Sequence, residues 1–240
     1  MKYNRCMEIN SLVKKIGEKF KPESIILYGS RARTDYLENS DWELLVVFED
    51  KNKVKREILR RFVKNKQIIL YSTTVENFKN SKLDTPFPKA SYYRDLILGG
   101  KVLFGKDLFK EIELPEIKIS DLIETVMFNL GYSLAAALSW RDGDKKVAKR
   151  LFIKSCLFST RCLVVLKKKK FPLTYEEIVE EAKNLSLNEF KNLIKTAYKV
   201  RGGQRINQLD IYKNITYLNS FLLPQLKEEV GKRGNVVLLK

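Results

Sequence analysis

The sequence predicts a mixed α+β protein, in which a small α/β sheet is followed by an all-α helical bundle. Short apolar runs bounded by turn residues alternate with helical periodicity over roughly the first 110 residues. Beyond that point almost every segment places its apolar residues at helical spacing. We therefore predict one domain over residues 1–112 and a helical bundle over residues 117–240, with a linker of alternating Pro, Glu and Ile over residues 111–119 at the boundary.

The predicted first domain opens with a helix over residues 8–20, whose apolar residues recur at helical spacing. Its strands are predicted at residues 25–28, 42–48, 67–72 and 101–105, and its other helices at residues 31–36, 54–63, 75–78 and 90–98. This order of elements predicts a small sheet that helices cover on one side.

The second half is predicted to hold five helices, at residues 121–140, 145–168, 174–184, 187–200 and 209–229. Thr174 and Glu177 have the spacing of a capping box, which favours a helix start at that position. The last residues, 236–239, are apolar, and the pattern leaves open whether they pack on the protein.

The composition is strongly basic, with 46 Lys and Arg against 29 Asp and Glu and a formal net charge of +17. Such a charge favours a polyanionic partner, either nucleotide phosphates, a nucleic acid or an acidic protein surface. A Lys-rich surface of the thermophile type is the alternative interpretation. The chain has no histidine, which excludes His-based acid–base catalysis, Ser-His triads and imidazole metal sites.

Three cysteines, Cys6, Cys156 and Cys162, lack metal-ligand spacing and fit a reducing compartment. The longest apolar run, residues 151–166, is interrupted by Lys154 and Arg161 and is too short to span a bilayer. We therefore predict a cytoplasmic protein without a membrane partner.

The most informative stretch joins the first two predicted strands. Gly29 and Ser30 follow the first strand, and Asp41 and Glu43 open the second. Residues i and i+2 of a strand point to the same face, roughly 7 Å apart at a rise of ~3.3 Å per residue. Two carboxylates held that close repel each other unless a cation lies between them, and Mg²⁺ prefers such oxygen ligands.

This arrangement resembles the signature of the DNA polymerase β-like nucleotidyltransferases, written as Gly-Ser, a spacer and then Asp-x-Asp or Asp-x-Glu. The match extends over the Gly-Ser-x-Ala-Arg run at residues 29–33 and over Ser40, which directly precedes Asp41. The chain departs from the pattern at Thr34, where the family usually has Gly, and at Glu43, where Asp is commoner.

The second half resembles the helical bundles, some of them HEPN-like, that accompany small prokaryotic and aminoglycoside nucleotidyltransferases. HEPN ribonucleases use an Arg-x4-6-His motif. Ribonuclease activity of that kind is excluded here because the chain has no histidine.

The resemblance implies transfer of a nucleoside monophosphate from an NTP to a hydroxyl acceptor by a two-metal mechanism. Asp41 and Glu43 would be the catalytic ligands of two Mg²⁺ (or Mn²⁺) ions. The remaining motif residues would bind the nucleotide, with the β- and γ-phosphates on the first two: Gly29, Ser30, Arg31, Arg33 and Ser40. For the two arginines, a solvated helix face is an equally good interpretation.

One expected part is missing, since the family commonly carries a third carboxylate on the next strand, and residues 67–72 contain no acid. Glu124, Asp142 and Asp144 in the bundle, and Glu76 just past the strand, are the remaining candidates for a base, and a solvated acid is the simpler interpretation of each. A catalytically degenerate nucleotide- or polyanion-binding protein is therefore an alternative. A regulatory partner in a toxin–antitoxin-like system is another.

The expected partners are an NTP and an acceptor that is a small molecule, a protein or an RNA. The oligomeric state stays open, with a dimer among the options.

Overall fold

The computed structural model describes the backbone of residues 2–38, 40–63 and 65–240, and the side chains of these ranges from residue 9 onward. The chain divides into two compact units. The first, here called the sheet unit, comprises Met1–Thr85 and Tyr93–Pro115. The second, the helical unit, comprises Pro86–Tyr92 and Glu116–Lys240. The predicted α+β fold class is confirmed.

The sheet unit contains four strands and most of five helices. In chain order these are α1 (Lys2–Phe20), β1 (Ser24–Tyr28), α2 (Ser30–Arg33), β2 (Trp42–Phe48), α3 (Arg56–Phe62), β3 (Ile68–Thr74), α4 (Val75–Lys79), α5 (Lys89–Gly99) and β4 (Lys101–Gly105). The first residues of α5 belong to the helical unit. The strand order is β3-β2-β1-β4, with β2 and β3 parallel and the other pairs antiparallel.

The core of the sheet unit follows from the alternation of its strands. Ile25 and Leu27 on β1 and Leu44 and Val46 on β2 are buried in one apolar cluster. Residues of α1, α3 and the neighbouring strands complete that cluster, including Ile9, Val13, Ile16, Leu59 and Leu70.

The opposite face of the sheet is covered as well. Ile26 and Val47 are fully buried, and Leu45 is 1% exposed. The expectation of a sheet covered on one side is therefore wrong. The short helix α4, which contacts both β2 and β3, was predicted as an element but not as cover for the sheet.

The helical unit holds the remaining elements. They are β5 (Ile117–Lys118), α6 (Ile119–Arg141), α7 (Lys145–Lys168), α8 (Tyr175–Ala182), α9 (Lys191–Arg201), α10 (Gln208–Thr216), a π-helical turn (Tyr217–Leu222), α11 (Leu223–Arg233) and β6 (Val237–Leu239). The predicted capping box is present, since the Thr174 Oγ1 accepts from the Glu177 N–H at 3.1 Å.

Two details of this unit differ from the sequence-based expectation. The predicted helix at 209–229 is three consecutive segments, because the π-helical turn separates α10 from α11. The predicted linker contains β5, which pairs antiparallel with β6, so that Ile117 lies opposite Leu239. Leu238 is consequently buried, and the chain end that the sequence left open packs on the protein.

Polar side chains lie inside the helical unit. The Asn214 Nδ2 donates to the Ser133 Oγ at 2.8 Å and to the Ser155 Oγ at 2.7 Å, and all three residues are fully buried. These bonds join α10 to α6 and α7 through groups that would be costly to bury without partners.

By length and composition alone, one helix of the described chain, α6, is apolar enough to cross a membrane. Core helices of soluble proteins pass the same test. One side of α6 buries Ser133 within the unit, and the other exposes Met127, Leu134 and Leu138.

Candidate active site

The antiparallel pairing of β1 and β2 brings the two halves of the sequence motif together. Tyr28, the last residue of β1, lies opposite Glu43, and Gly29 follows directly. Gly29 has φ of 74°, a backbone conformation that side chains with a Cβ rarely adopt. A Cβ on Gly29 would lie 1.9 Å from the Glu43 Oε2, so this carboxylate rests against the Gly29 backbone. Glycine is therefore required at this position for two independent reasons.

Asp41 and Glu43 lie at the open end of the sheet. Asp41 directly precedes β2, and both residues are half-buried, whereas the rest of β2 from Leu44 to Phe48 is fully covered. The Trp42 N–H donates to the Gln67 carbonyl at 2.8 Å, which fixes the start of β2 against the start of β3. The two carboxylates are thus accessible to a ligand yet anchored on a buried strand.

Arg31 holds the loop between the two motif halves. Its Nε donates to the Ser40 carbonyl at 2.8 Å, and its Nη2 donates to the Glu38 carbonyl at 3.0 Å. The guanidinium also lies between the rings of Tyr36 and Trp42, at 4.8 and 4.4 Å from their centroids. These contacts give Arg31 a positioning role for the loop that delivers Asp41.

Arg33 points into the sheet unit, with only 4% of its side chain exposed. Its Nη1 lies 3.2 Å from the Asp95 Oδ2 on α5, and its Nε lies 3.6 Å from the Asp35 Oδ1. This cluster of one arginine and two aspartates was not predicted from the sequence, because Asp95 lies 62 residues after Arg33. Ser40 closes a turn, since its Oγ accepts from the Leu37 N–H at 2.9 Å.

Residues 9–126 match the nucleotidyltransferase domain family. The first half of the chain is a nucleotidyltransferase domain of the DNA polymerase β-like superfamily. The segment contains every residue of the motif, from Gly29 to Glu43.

The fold also resembles a solved structure over most of its length. Spectinomycin adenyltransferase AAD(9) from Enterococcus faecialis, crystallised with ATP and spectinomycin, superposes with a TM-score of 0.54 at 15% identity. The superposition covers 88% of this chain and 98% of that one. No curated protein sequence matches the chain.

The backbone conformation at Thr34 explains why the nucleotidyltransferase family usually has glycine at this position. Thr34 ends α2 in the left-handed region, with φ of 70° and ψ of 5°. A β-branched residue is strained in this conformation, whereas glycine adopts it freely. Thr34 therefore keeps the backbone turn that the family achieves with Gly.

The described part of the domain offers no third carboxylate beside the first two. Ile69 of β3 lies opposite Glu43, and Glu76 follows the far end of that strand. Among the described residues, no group of three or more His, Cys, Asp or Glu side chains could hold a metal ion.

The candidate bases in the helical unit have contacts within that unit. The Asp144 Oδ1 accepts from the Val147 N–H at 2.9 Å and caps α7. The Asp142 Oδ1 lies 2.9 Å from the Arg141 Nε. Glu124 is exposed on α6. The capping contact of Asp144 favours a structural role for that acid, whereas Asp142 lies in an exposed ion pair with its neighbour.

Proposed function

We propose that this protein transfers a nucleoside monophosphate from an NTP to a hydroxyl acceptor, with Asp41 and Glu43 as metal ligands in a two-metal mechanism. One observation supports this most strongly. The Glu43 carboxylate rests against the Gly29 backbone, at the point where a triphosphate would meet the turn after β1. A nucleotidyltransferase domain in residues 9–126 makes nucleotidyl transfer the general reaction class.

In this proposal Gly29 and Ser30 receive the β- and γ-phosphates. Gly29 lacks a Cβ, so phosphate oxygens can approach its backbone closely. The acceptor oxygen forms a bond to the α-phosphorus, the bond from that phosphorus to the bridging oxygen breaks, and pyrophosphate leaves. The hydroxyl proton passes to water. The protein mainly orients these groups and excludes competing geometries.

The chemistry of the two ligands fits Mg²⁺ or Mn²⁺. Asp41 and Glu43 are half-buried carboxylates, and hard cations take carboxylate oxygens while keeping waters and substrate phosphates as further ligands. When bound, the ions would stabilise the charge of the attacking oxygen and of the departing pyrophosphate.

We propose that Arg31, Arg33 and Ser40 position the loop between Gly29 and Asp41 and do not contact the nucleotide directly. The buried ion pairs of Arg33 hold α2 against α5, and Arg31 holds the carbonyl of Ser40, next to Asp41. The direct nucleotide contacts expected from the sequence remain predictions for all three residues.

A small molecule is the acceptor class with the most support. The structural neighbour was crystallised with ATP and spectinomycin, and the superposition covers nearly all of that chain. A cytoplasmic location fits the odd number of scattered cysteines, which suits a reducing compartment, and remains a prediction.

A second candidate function is nucleotide binding without transfer. It is favoured by Ile69, which occupies the strand position beside Glu43 where an acid would complete the metal site. This candidate predicts metal-dependent NTP binding without any labelled product.

The test is transfer from an NTP that carries a radiolabel on its α-phosphate. Each of the four NTPs is combined with Mg²⁺ or Mn²⁺ and with aminocyclitols, sugar alcohols, RNA or protein as acceptors. Asp41→Asn and Glu43→Gln should each lower the rate by about 10²–10³-fold, because each weakens the binding of the metal ions that would stabilise the charge of the transition state. The control is Glu49→Gln, an exposed acid just past the other end of β2, which should leave the rate unchanged. Equal rates in all variants would overturn the proposal.

A further inference from the structure

The connection between β2 and β3 concentrates positive charge. Residues 51–66, here called the basic crossover, contain eight Lys or Arg residues against one acidic residue, Glu57. This stretch of 16 residues accounts for +7 of the formal net charge of +17. Lys64 lies outside the described residues.

Six of these basic residues are exposed and carry no ion pair within the described part of the chain. They are Lys51, Lys53, Lys55, Arg60, Arg61 and Lys66. The charge of the basic crossover is therefore not neutralised by the protein itself. Charges left open on a folded surface raise the local concentration of anions and favour their binding.

The seventh described cation, Arg56, fixes the basic crossover to the sheet. Its Nε donates to the Leu70 carbonyl on the edge strand β3 at 2.7 Å, and its guanidinium lies 4.4 Å from the Tyr71 ring centroid. Two residues after Leu70 on β3, the Ser72 Oγ donates to the Val54 carbonyl. The backbone that bears the open charges is thus held in place.

These contacts also give the direction of the basic crossover. Val54 lies beside Ser72, and Arg56 lies beside Leu70. The basic crossover therefore runs antiparallel to β3 and leads back to the first residue of that strand. The Gln67 carbonyl there accepts from the Trp42 N–H, one residue after Asp41. The register from Trp42 to Phe48 covers about 20 Å at ~3.3 Å per residue. One strand of a duplex advances ~3.4 Å along the helix axis per phosphate, so this length corresponds to on the order of six phosphates of such a strand.

We propose that the basic crossover binds the phosphodiester backbone of a nucleic acid along the β3 edge of the sheet. The described side chains favour this partner over a membrane surface. The apolar residues of α3, Leu59 and Phe62, pack into the sheet unit, and Ile58 is the large apolar side chain that is exposed, at 48%. A helix that inserts into a membrane interface needs a broad apolar face.

The surface should recognise charge and not sequence. In the basic crossover the described aromatic residue is Phe62, whose ring packs at 5.2 Å from that of Phe20. Stacking platforms for bases need accessible rings, so phosphate contacts carry the binding. Affinity should therefore fall steeply with salt and vary little with base sequence.

The test compares two quadruple variants that lower the net charge equally. The first is Lys53→Gln, Lys55→Gln, Arg60→Gln and Arg61→Gln in the basic crossover. The matched control is Lys167→Gln, Lys168→Gln, Lys170→Gln and Lys183→Gln, four lysines that each lie in an ion pair. Fluorescence anisotropy measures binding of labelled single-stranded RNA and DNA 12-mers over a salt series, with polyglutamate as competitor. Thermal melting checks that both variants fold.

The basic-crossover variant should bind 10- to 100-fold more weakly, and its slope of log affinity against log salt should fall by about 2 to 3, at ~0.7 per lost phosphate contact. The control should change either quantity little. Equal weakening in both variants would overturn the proposal, as would polyglutamate that competes as well as unlabelled oligonucleotide at equal charge concentration. The proposal is independent of nucleotidyl transfer, since the Asp41→Asn protein should bind the oligonucleotides as the wild type does.

Discussion

Two basic runs of this protein, one in each unit, differ in their acidic neighbours. In the helical unit, the consecutive lysines at the end of α7 have acidic partners: Lys167 pairs with Glu229, and Lys168 and Lys170 pair with Glu181. In the sheet unit, the six exposed cations of the basic crossover form no ion pair with any described residue. Whether a run of lysines and arginines can bind an anion therefore depends on the acidic residues near it. An ion pair already neutralises part of the charge of each paired lysine.

The same contrast holds for uncharged and acidic groups. The polar side chains inside the helical unit, such as Asn214 with Ser133, are buried and bonded to one another. The carboxylates of Asp41 and Glu43 in the sheet unit remain half-buried and reachable. Substitutions of polar groups should accordingly affect stability in the helical unit and function in the sheet unit. The first three of four predictions test this division, and the fourth tests the backbone strain at Thr34 in the sheet unit.

The largest effect is expected for Gly29→Ala. The new Cβ would displace the Glu43 carboxylate, whose Oε2 lies 1.9 Å from that position, and the φ of 74° would be strained. We expect nucleotidyl transfer to fall by at least ~100-fold, as on loss of one charge-stabilising group.

Gly143→Ala is the matched control for that variant. Gly143 has φ of 87°, but a Cβ there would meet nothing within 4 Å. Both variants should lose about 1–3 kcal/mol of unfolding free energy from backbone strain. Transfer that falls equally in the two would show that Gly29 acts through stability alone.

Asn214→Ala should destabilise the protein by about 2–4 kcal/mol. The change removes two buried hydrogen bonds and leaves the hydroxyls of Ser133 and Ser155 without that donor. Urea unfolding measures the loss, and Asn219→Ala, at an exposed position of the π-helical turn, should change stability by less than ~0.5 kcal/mol. NTP binding by the folded Asn214→Ala protein should match that of the wild type, and weaker binding would break the division between the units.

Alkaline pH should destabilise the helical unit through its buried thiols. Burial raises the pKa of Cys162 from 9.0 to about 12, and burial also raises the pKa of Cys156. The unfolded chain ionises first, so this stability is fully present below pH 9 and is lost as the pH rises toward 12. The unfolding free energy should fall by about 1.4 kcal/mol per pH unit for each thiol in that window. In the Cys162→Ala protein the unfolding free energy should fall with pH less steeply than in the wild type, by about 1.4 kcal/mol per pH unit. Equal slopes in the two proteins would contradict a raised pKa for the Cys162 thiol.

The smallest effect is expected for Thr34→Gly, and its sign is favourable. Glycine relieves the strain at φ of 70° but adds entropy to the unfolded chain, for a net gain of about 1 kcal/mol. The same substitution at Thr216, which ends α10 with ordinary helical geometry, should instead cost about 0.3–0.5 kcal/mol. Thermal unfolding of both variants decides the sign.

Local patterns predicted the helices and strands well, because periodicity and caps are encoded within a few residues. The predicted bounds of β2 and of α7 match the structure. The pairing of Ile117 with Leu239 escaped prediction, since a two-residue strand carries no periodic signal and its partner lies at the end of the chain. The continuation of α10 through a π-helical turn escaped it for a related reason, as helical periodicity runs on through the turn.

In the candidate site, too, contacts between neighbouring segments could be predicted and contacts with distant segments could not. The resemblance assigned Gly29 and Glu43 to one nucleotide site, and the structure brings them together through the local, hairpin-like connection of β1 and β2. The contacts of Arg33 were not predictable, since Asp95 comes from a distant helix and the arginine has an ordinary motif position. The loop contacts of Arg31 with Tyr36 and Trp42 had a weak signal in the aromatic residues that surround Asp41.

The central claim is that Asp41 and Glu43 form a metal-dependent nucleotide site. Isothermal titration of ATP in the presence of Mg²⁺, and again with a chelator, tests it most directly on the wild type and on the Asp41→Asn/Glu43→Gln protein. We predict binding by the wild type that requires Mg²⁺ and is lost in the double variant. Binding that is equal in the two proteins, or that persists without the metal, would contradict the claim.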